Sequence, residues 1–128
     1  MFTAKDIMTT EVVTIQALAM VSEAIGLMKE HNVHALIVNP RDQGTAYGII
    51  TEADIAYKVI AEGKDPKALC VCDIMTAPCI SIKPDMDVQN VARLFANNHI
   101  HRAPVIKGGL LGIVSESDIL GRGEWWQE

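Results

Sequence analysis

The chain has 128 residues, 49% of them hydrophobic and 21% charged, with a formal net charge of −5. That is enough chain for one ordinary compact core. The acidic balance excludes general nucleic-acid binding, which needs clustered basic surface, and leaves only a local basic pocket for an anion. No apolar run reaches the length of a membrane span, so no membrane association is expected. The opening Met1-Phe2-Thr3-Ala4-Lys5-Asp6 lacks a basic stretch followed by an apolar core. No secretory signal is read there, and the expected compartment is cytoplasmic.

In chain order, Asp6-Ile7-Met8-Thr9 precedes a short β-branched strand from Val12 to Ile15. Met20 to Lys29 carries Met20, Val21, Ala24, Ile25, Leu27 and Met28, an amphipathic helical stripe. Ala35 to Val38 is an apolar strand. The polar stretch between Asn39 and Tyr47 is a turn, and Tyr47 to Ile50 is the next strand. A helix begins at Glu52 and is broken by Glu62-Gly63-Lys64-Asp65-Pro66.

The series then repeats. Asp73-Ile74-Met75-Thr76 restates Asp6-Ile7-Met8-Thr9 at an offset of 67, and Ile80-Ser81-Ile82 restates Val13-Thr14-Ile15. Val88, Val91, Ala92, Leu94 and Phe95 form the second helical stripe, with Asp85 or Asp87 as its cap. Ala103 to Ile106 and Leu110 to Val114 are strands joined by the turn Lys107-Gly108-Gly109. Beyond the turn the offset drops to 64, so that Gly48-Ile49-Ile50-Thr51-Glu52-Ala53-Asp54-Ile55 matches Gly112-Ile113-Val114-Ser115-Glu116-Ser117-Asp118-Ile119. The slip of three falls in the polar turn, where length changes are tolerated.

The expected fold is therefore α/β (α+β), two tandem β-α-β-β-α repeats related by a pseudo-twofold axis. The expected boundaries are 5–62 for the first repeat, 63–72 for a linker, 73–121 for the second repeat and 122–128 for a tail. One copy alone has a marginal core, so the two are expected to pack face to face and leave two related clefts at their seam. The three cysteines, Cys70, Cys72 and Cys79, are odd in number and crowded together. They read as a poor disulfide framework, and without a nearby His as a poor zinc motif. The plainest reading is small, partly buried side chains, with no metal site expected.

Asp-Ile-Met-Thr at the head of each copy, a His before an Ala/Pro-containing strand, and Gly-Ile-hydrophobic-Thr/Ser-x-x-Asp together resemble a tandem pair of cystathionine-β-synthase (CBS) domains, also called a Bateman module. The resemblance covers about Lys5 to Gly121 and rests on both copies carrying the elements in the same order. It implies binding of adenosine nucleotides such as AMP, ADP or ATP, or of S-adenosylmethionine, with no cofactor required. It also implies a homodimer of disc-like shape.

Thr51 with Asp54, and Ser115 with Asp118, fit a capping box at a helix start, which by itself would account for both residue types. The same carboxylate can accept two hydrogen bonds from the cis-diol of a ribose, and the resemblance implies that role for Asp118 and Asp54, with Ser115 and Thr51 near ribose or phosphate. It also implies a phosphate contact for His101 and Arg102, just before Pro104. Arg offers a planar fork of donors for such a group. The first copy keeps His34, but Ala35 and Ile37 stand where the second has Arg102 and Pro104, which weakens the expectation there. Lys58 and Arg122, each seven residues after the hydroxyl residue, are further candidate cations. By resemblance, Ile15 to Ala19 and Ala24 complete the adenine slot of the Ser115/Asp118 site. Ile82 to Met86 and Val91 complete that of the other. Ala24 is smaller than its counterpart Val91, which again favours the second-copy site.

No H-E-x-x-H, G-x-S-x-G or G-x-x-x-x-G-K-[ST] is present, and no catalytic residues are expected. The expected function is a non-enzymatic sensor of adenosine nucleotides acting on a separate partner protein. Two alternatives stand beside it: a dimeric interaction scaffold with empty clefts, and a redox-linked regulator using the cysteines. The tail Trp125-Trp126 falls outside the repeat, and its role is left open.

Overall fold

The structure, a computed structural model, describes residues 2–121; Arg122 and the Trp125-Trp126 pair lie outside the described residues. In chain order the elements are α1 (Ala4–Ile7), β1 (Thr14–Ile15), α2 (Val21–His31), β2 (Ala35–Val38), β3 (Gly48–Thr51) and α3 (Glu52–Ile55). A π-helical turn, Ala56–Ile60, continues α3 directly, and a 3₁₀ turn follows at Val71–Asp73. Then come α4 (Val88–Asn98), β4 (Arg102–Ile106), β5 (Leu110–Ser115) and α5 (Glu116–Gly121). This mixed α+β architecture with small sheets carries the expected β-α-β-β-α order in the first copy, and α-β-β-α with a single bridge in place of the leading strand in the second.

The elements gather into two compact units, Val13–Cys79 and Met1–Val12 with Ile80–Glu128. In the first unit, β1 pairs in parallel with β2, and β2 pairs antiparallel with β3. The helix α2 buries Val21, Ala24 and Met28, one stripe at three- and four-residue spacing. They pack with Leu36, Val38, Ile50, Val59 and Val71. In the second unit, β4 pairs antiparallel with β5, with a bulge at Val105/Ile106. The helix α4 buries Val88, Val91 and Phe95, the residues equivalent to Val21, Ala24 and Met28, against Ile7, Val105 and Val114.

The second copy has no full counterpart of β1. Ile82 makes one parallel bridge to Val105, matching Ile15 on Val38. Both long helices end on a left-handed residue, Asn32 or His99, each with φ 53°. Only the second has a side-chain N-cap. The Asp87 carboxylate accepts from the Gln89 amide at 3.2 Å, which settles the choice between Asp85 and Asp87. The equivalent residue before α2 is Met20, which makes no such bond.

The Asp-Ile-Met-Thr segments explain the make-up of the units. Thr76 exchanges both backbone hydrogen bonds with Ile49 of the first copy, each 2.9 Å. Thr9 does the same with Ile113 of the second, again at 2.9 Å. Each copy's opening motif therefore closes the sheet edge made by the other copy's sequence. The glycine that begins Gly-Ile makes room for it. A Cβ on Gly112 would lie 2.7 Å from both the Thr9 carbonyl oxygen and the Met8 sulfur. On Gly48 it would lie 3.1 Å from the Thr76 carbonyl oxygen and 3.2 Å from the Met75 sulfur.

Cys70 and Cys72 are joined by a disulfide and Cys79 is free. This corrects the reading of the three as unlinked thiols. An odd, crowded set made a disulfide framework look poor, but within the 3₁₀ turn the two Cα atoms lie 5.3 Å apart, inside the usual range for a bridge.

Candidate ligand site

In each copy the candidate residues lie where a strand passes into a helix. At the β5–α5 junction, the Asp118 carboxylate accepts from the Ser115 amide at 2.8 Å and from the Ser115 hydroxyl at 3.1 Å. At the β3–α3 junction, the Asp54 carboxylate accepts from the Thr51 amide at 3.0 Å, and the Thr51 hydroxyl accepts from the Asp54 amide at 3.1 Å. These are capping boxes: the side chains satisfy backbone groups that the first helical turn leaves unpaired. The aspartates are thus held rigidly, in half-buried positions.

Among the described residues, the neighbours of the two boxes differ. The Lys58 ammonium lies 3.0 Å from the other carboxylate oxygen of Asp54 and donates to the Ile74 carbonyl at 3.0 Å. Lys58 sits in the π-helical turn, so the candidate cation of the first copy is bound into its own scaffold. In the second copy, Arg102 is the Cα partner of Ser115 in the β4–β5 ladder. Directly paired residues on antiparallel strands put their side chains on one face, about 5 Å apart at Cβ. A half-buried arginine therefore shares a sheet face with Ser115. The same register in the first copy pairs Ala35 with Thr51, with no charge to offer.

The two histidines also occupy equivalent places. The His101 ring Nδ1 lies 3.0 Å from Glu116 Oε2, and the His34 ring Nδ1 is paired with Glu52. In each case the backbone ties the same residues, Glu116 N–H donating to the His101 carbonyl and Glu52 N–H to that of His34, both at 3.0 Å. These His–Glu pairs were not anticipated, although the signal was present: both partners recur in the repeat, at offsets 67 and 64.

The remaining expected residues divide between the units. Ile15, Ala19 and Ala24 belong with Thr51, Asp54 and His34 in the first. Ile15 and Ala24 are core residues, 6% and 0% exposed, while Ala19 is half-buried. Met86 and Pro104 belong with Ser115, Asp118, His101 and Arg102 in the second. There Pro104 is buried, facing Ile113, and Met86 is half-buried with its carbonyl accepting from Ala4 at 2.8 Å.

The second unit holds a cavity of about 420 Å³ against Phe95, Ile100, His101, Glu116 and Ile119. The first holds one of about 600 Å³ against Ala17, Val38, Arg41, Thr45, Cys72 and Met75. Of the twelve expected site residues, only His101 lines either. No helix among the described residues is long and apolar enough to cross a membrane.

The comparisons with known proteins agree with the fold. The CBS domain family model matches the chain twice, at residues 4–61 and 71–123. The CBS domain-containing protein YhcV of Bacillus subtilis (strain 168) is 36% identical over 120 residues, covering 93% of this chain and 84% of that protein. A hexameric CBS-CP12 protein from bloom-forming cyanobacteria superposes with a TM-score of 0.94 at 50% identity, covering 99% of this chain and 74% of that one. The CBS domain pair of protein MJ0100, solved in complex with 5′-methylthioadenosine and S-adenosyl-L-methionine, superposes with a TM-score of 0.80 at 30% identity, each chain covered to 92%. With two family matches spanning most of its length and the paired fold in place, the chain belongs to the CBS domain family.

Proposed function

We propose that this chain is a regulatory module that binds an adenosine nucleotide and acts on a separate partner protein. The observation that carries the proposal is the pairing of Arg102 with Ser115 across β4 and β5, beside the carboxylate of Asp118. A ribose diol needs a fixed acceptor, and Asp118 is fixed by its capping bonds. A phosphate needs a planar cationic donor within reach of the same sugar, and Arg102 is that group. The related MJ0100 pair binds two adenosine-derived ligands, which supports the adenosine part of the reading. The phosphate part rests on Arg102.

Binding of such a ligand regulates only through a difference in affinity between two states of the protein. Self-association belongs to the proposal, and the hexameric CBS-CP12 relative makes a hexamer as reasonable an expectation as a dimer; sedimentation velocity with and without nucleotide separates them.

Titration calorimetry with AMP, ADP, ATP and S-adenosylmethionine tests the function. At least one is expected to bind, and no heat from any of them at millimolar concentration would sink the reading. Asp118→Ala is expected to weaken binding more than Asp54→Ala. Equal losses, or the reverse order, would show that the second-copy junction is not the main site.

A further inference from the structure

The 3₁₀ turn Val71–Asp73 carries more chemistry than its fold requires. Its equivalent in the other copy is the start of α1, where Thr3-Ala4-Lys5-Asp6 aligns with Cys70-Val71-Cys72-Asp73. Both turns are closed in the same way. Asp6 accepts from the Thr3 amide at 2.8 Å, and Asp73 accepts from the Cys70 amide at 3.0 Å. Both are tied to the neighbouring strand region by equivalent bonds, Ala4 N–H to the Met86 carbonyl and Val71 N–H to the Ala19 carbonyl, each 2.8 Å. The aspartate is thus part of the scaffold in both copies. The sulfurs are not, because the first copy builds the same turn with Thr3 and Lys5.

The sulfurs of Cys70 and Cys72 and a carboxylate oxygen of Asp73 lie within 4.8 Å of one another. A tetrahedral zinc ion bound at about 2.3 Å to sulfur and 2.0–2.2 Å to oxygen needs donors about 3.5–4 Å apart. In the structure the two sulfurs are bonded to each other, so that demand is met only once the bond is broken and the sulfurs separate on the same short turn as the Asp73 carboxylate. Cys72 also lines the cavity of about 600 Å³, beside Met75 and Thr45. The Cys72 side of the turn therefore borders open space.

We propose that, when the Cys70–Cys72 bond is reduced, Cys70, Cys72 and Asp73 form a binding site for a thiophilic divalent cation of the zinc class. The bond keeps the sulfurs from acting as thiolate ligands. A dithiol reductant breaks it, passing two electrons and two protons to the two sulfurs and ending as a disulfide itself. The two thiols then release two protons as the cation binds, since the thiolate is the ligand. Soft sulfur donors favour zinc over magnesium or calcium, which take oxygen sets. The site shares no residue with the Ser115/Asp118 junction, so its test is separate from that of nucleotide binding.

The test uses the full chain, reduced with a phosphine and freed of reductant, with cobalt(II) as a spectroscopic probe and zinc as competitor. One cobalt per chain is expected, with a sulfur-to-cobalt charge-transfer band in the near ultraviolet that zinc removes. The disulfide form should show no such band. The double variant Cys70→Thr/Cys72→Lys, which installs the residues of the first copy, should fold by circular dichroism and lose the band. Asp73→Asn keeps a carbonyl acceptor for the Cys70 amide and should weaken binding at least as much as losing a supporting partner does, about 10–100-fold. The proposal is overturned if the reduced wild-type chain gives no charge-transfer band. It is overturned equally if the folded double variant binds cobalt as tightly as the wild type.

Discussion

The two strand–helix junctions share a backbone and differ in what surrounds it. Both close with a hydroxyl residue and an aspartate in a capping box. At the first, Lys58 is tied to Asp54 and to the Ile74 carbonyl, and the cross-strand neighbour of Thr51 is Ala35. At the second, Arg102 is the cross-strand neighbour of Ser115. The capping box is needed to start a helix and so persists in both copies. The cross-strand neighbour of the hydroxyl residue has no such duty, and there the two halves differ, Ala35 in one and Arg102 in the other. The same contrast appears at the opening turns, where the Asp is shared and the cysteines are not.

Four experiments would break or sharpen that comparison. The largest effect is expected where the opening motif presses on the sheet. Gly112→Ala forces a Cβ against a backbone carbonyl at 2.7 Å and should cost about 3 kcal/mol, the upper end of overpacking penalties. Gly48→Ala, with its closest approach at 3.1 Å, should cost about 1 kcal/mol. Urea unfolding of the two variants measures both, and equal losses would mean that the two edges are equally tolerant.

Next in size is the ligand contrast. Arg102→Ala removes a charge-assisted donor worth about 1.5–3 kcal/mol, so AMP affinity should fall by about ten- to a hundredfold while adenosine is little affected. Calorimetry with both ligands separates a phosphate contact from a general loss of structure. If adenosine suffers as much as AMP, Arg102 does not read the phosphate.

A smaller effect is expected at the helix starts. Asp87→Met removes the N-cap of α4, at a cost of about 1 kcal/mol, and Met20→Asp supplies one to α2 for a gain of similar size. Thermal unfolding should shift in opposite directions for the two exchanges.

The smallest concerns Cys79, whose thiol is pushed above its ordinary range by burial, with a backbone hydrogen bond opposing more weakly. The folded state therefore holds this proton more tightly than the unfolded chain. Its contribution to stability is complete below the unfolded thiol's pKa and is lost as pH rises through the folded one. Cys79→Ser should flatten the alkaline decline in unfolding free energy, and in the reduced protein Cys79 should be alkylated more slowly than Cys70 and Cys72.

Much of this was legible along the chain. The helical stripes, a cap at Asp85 or Asp87 and the match of Ala35 to Val38 with a strand follow from side-chain spacing and local hydrogen bonding, which act over a few residues. The capping boxes were legible for the same reason. The repeat fixed which residues would stand in equivalent places, including the His–Glu pairs, whose partners lie 18 and 15 positions apart in the chain. It did not reveal that each opening motif joins the other copy's sheet, because the strand edge it covers is far away in sequence.

The sequence by itself determined the duplicated α+β frame and the capping boxes at Thr51/Asp54 and Ser115/Asp118, since periodicity and capping are local and the repeat reports them twice. Only the tertiary structure decided that Thr9 closes the edge at Ile113 and that Arg102 stands opposite Ser115. Those outcomes depend on strand register and on chain segments brought together from a distance, and a one-residue change of register would place every such side chain elsewhere.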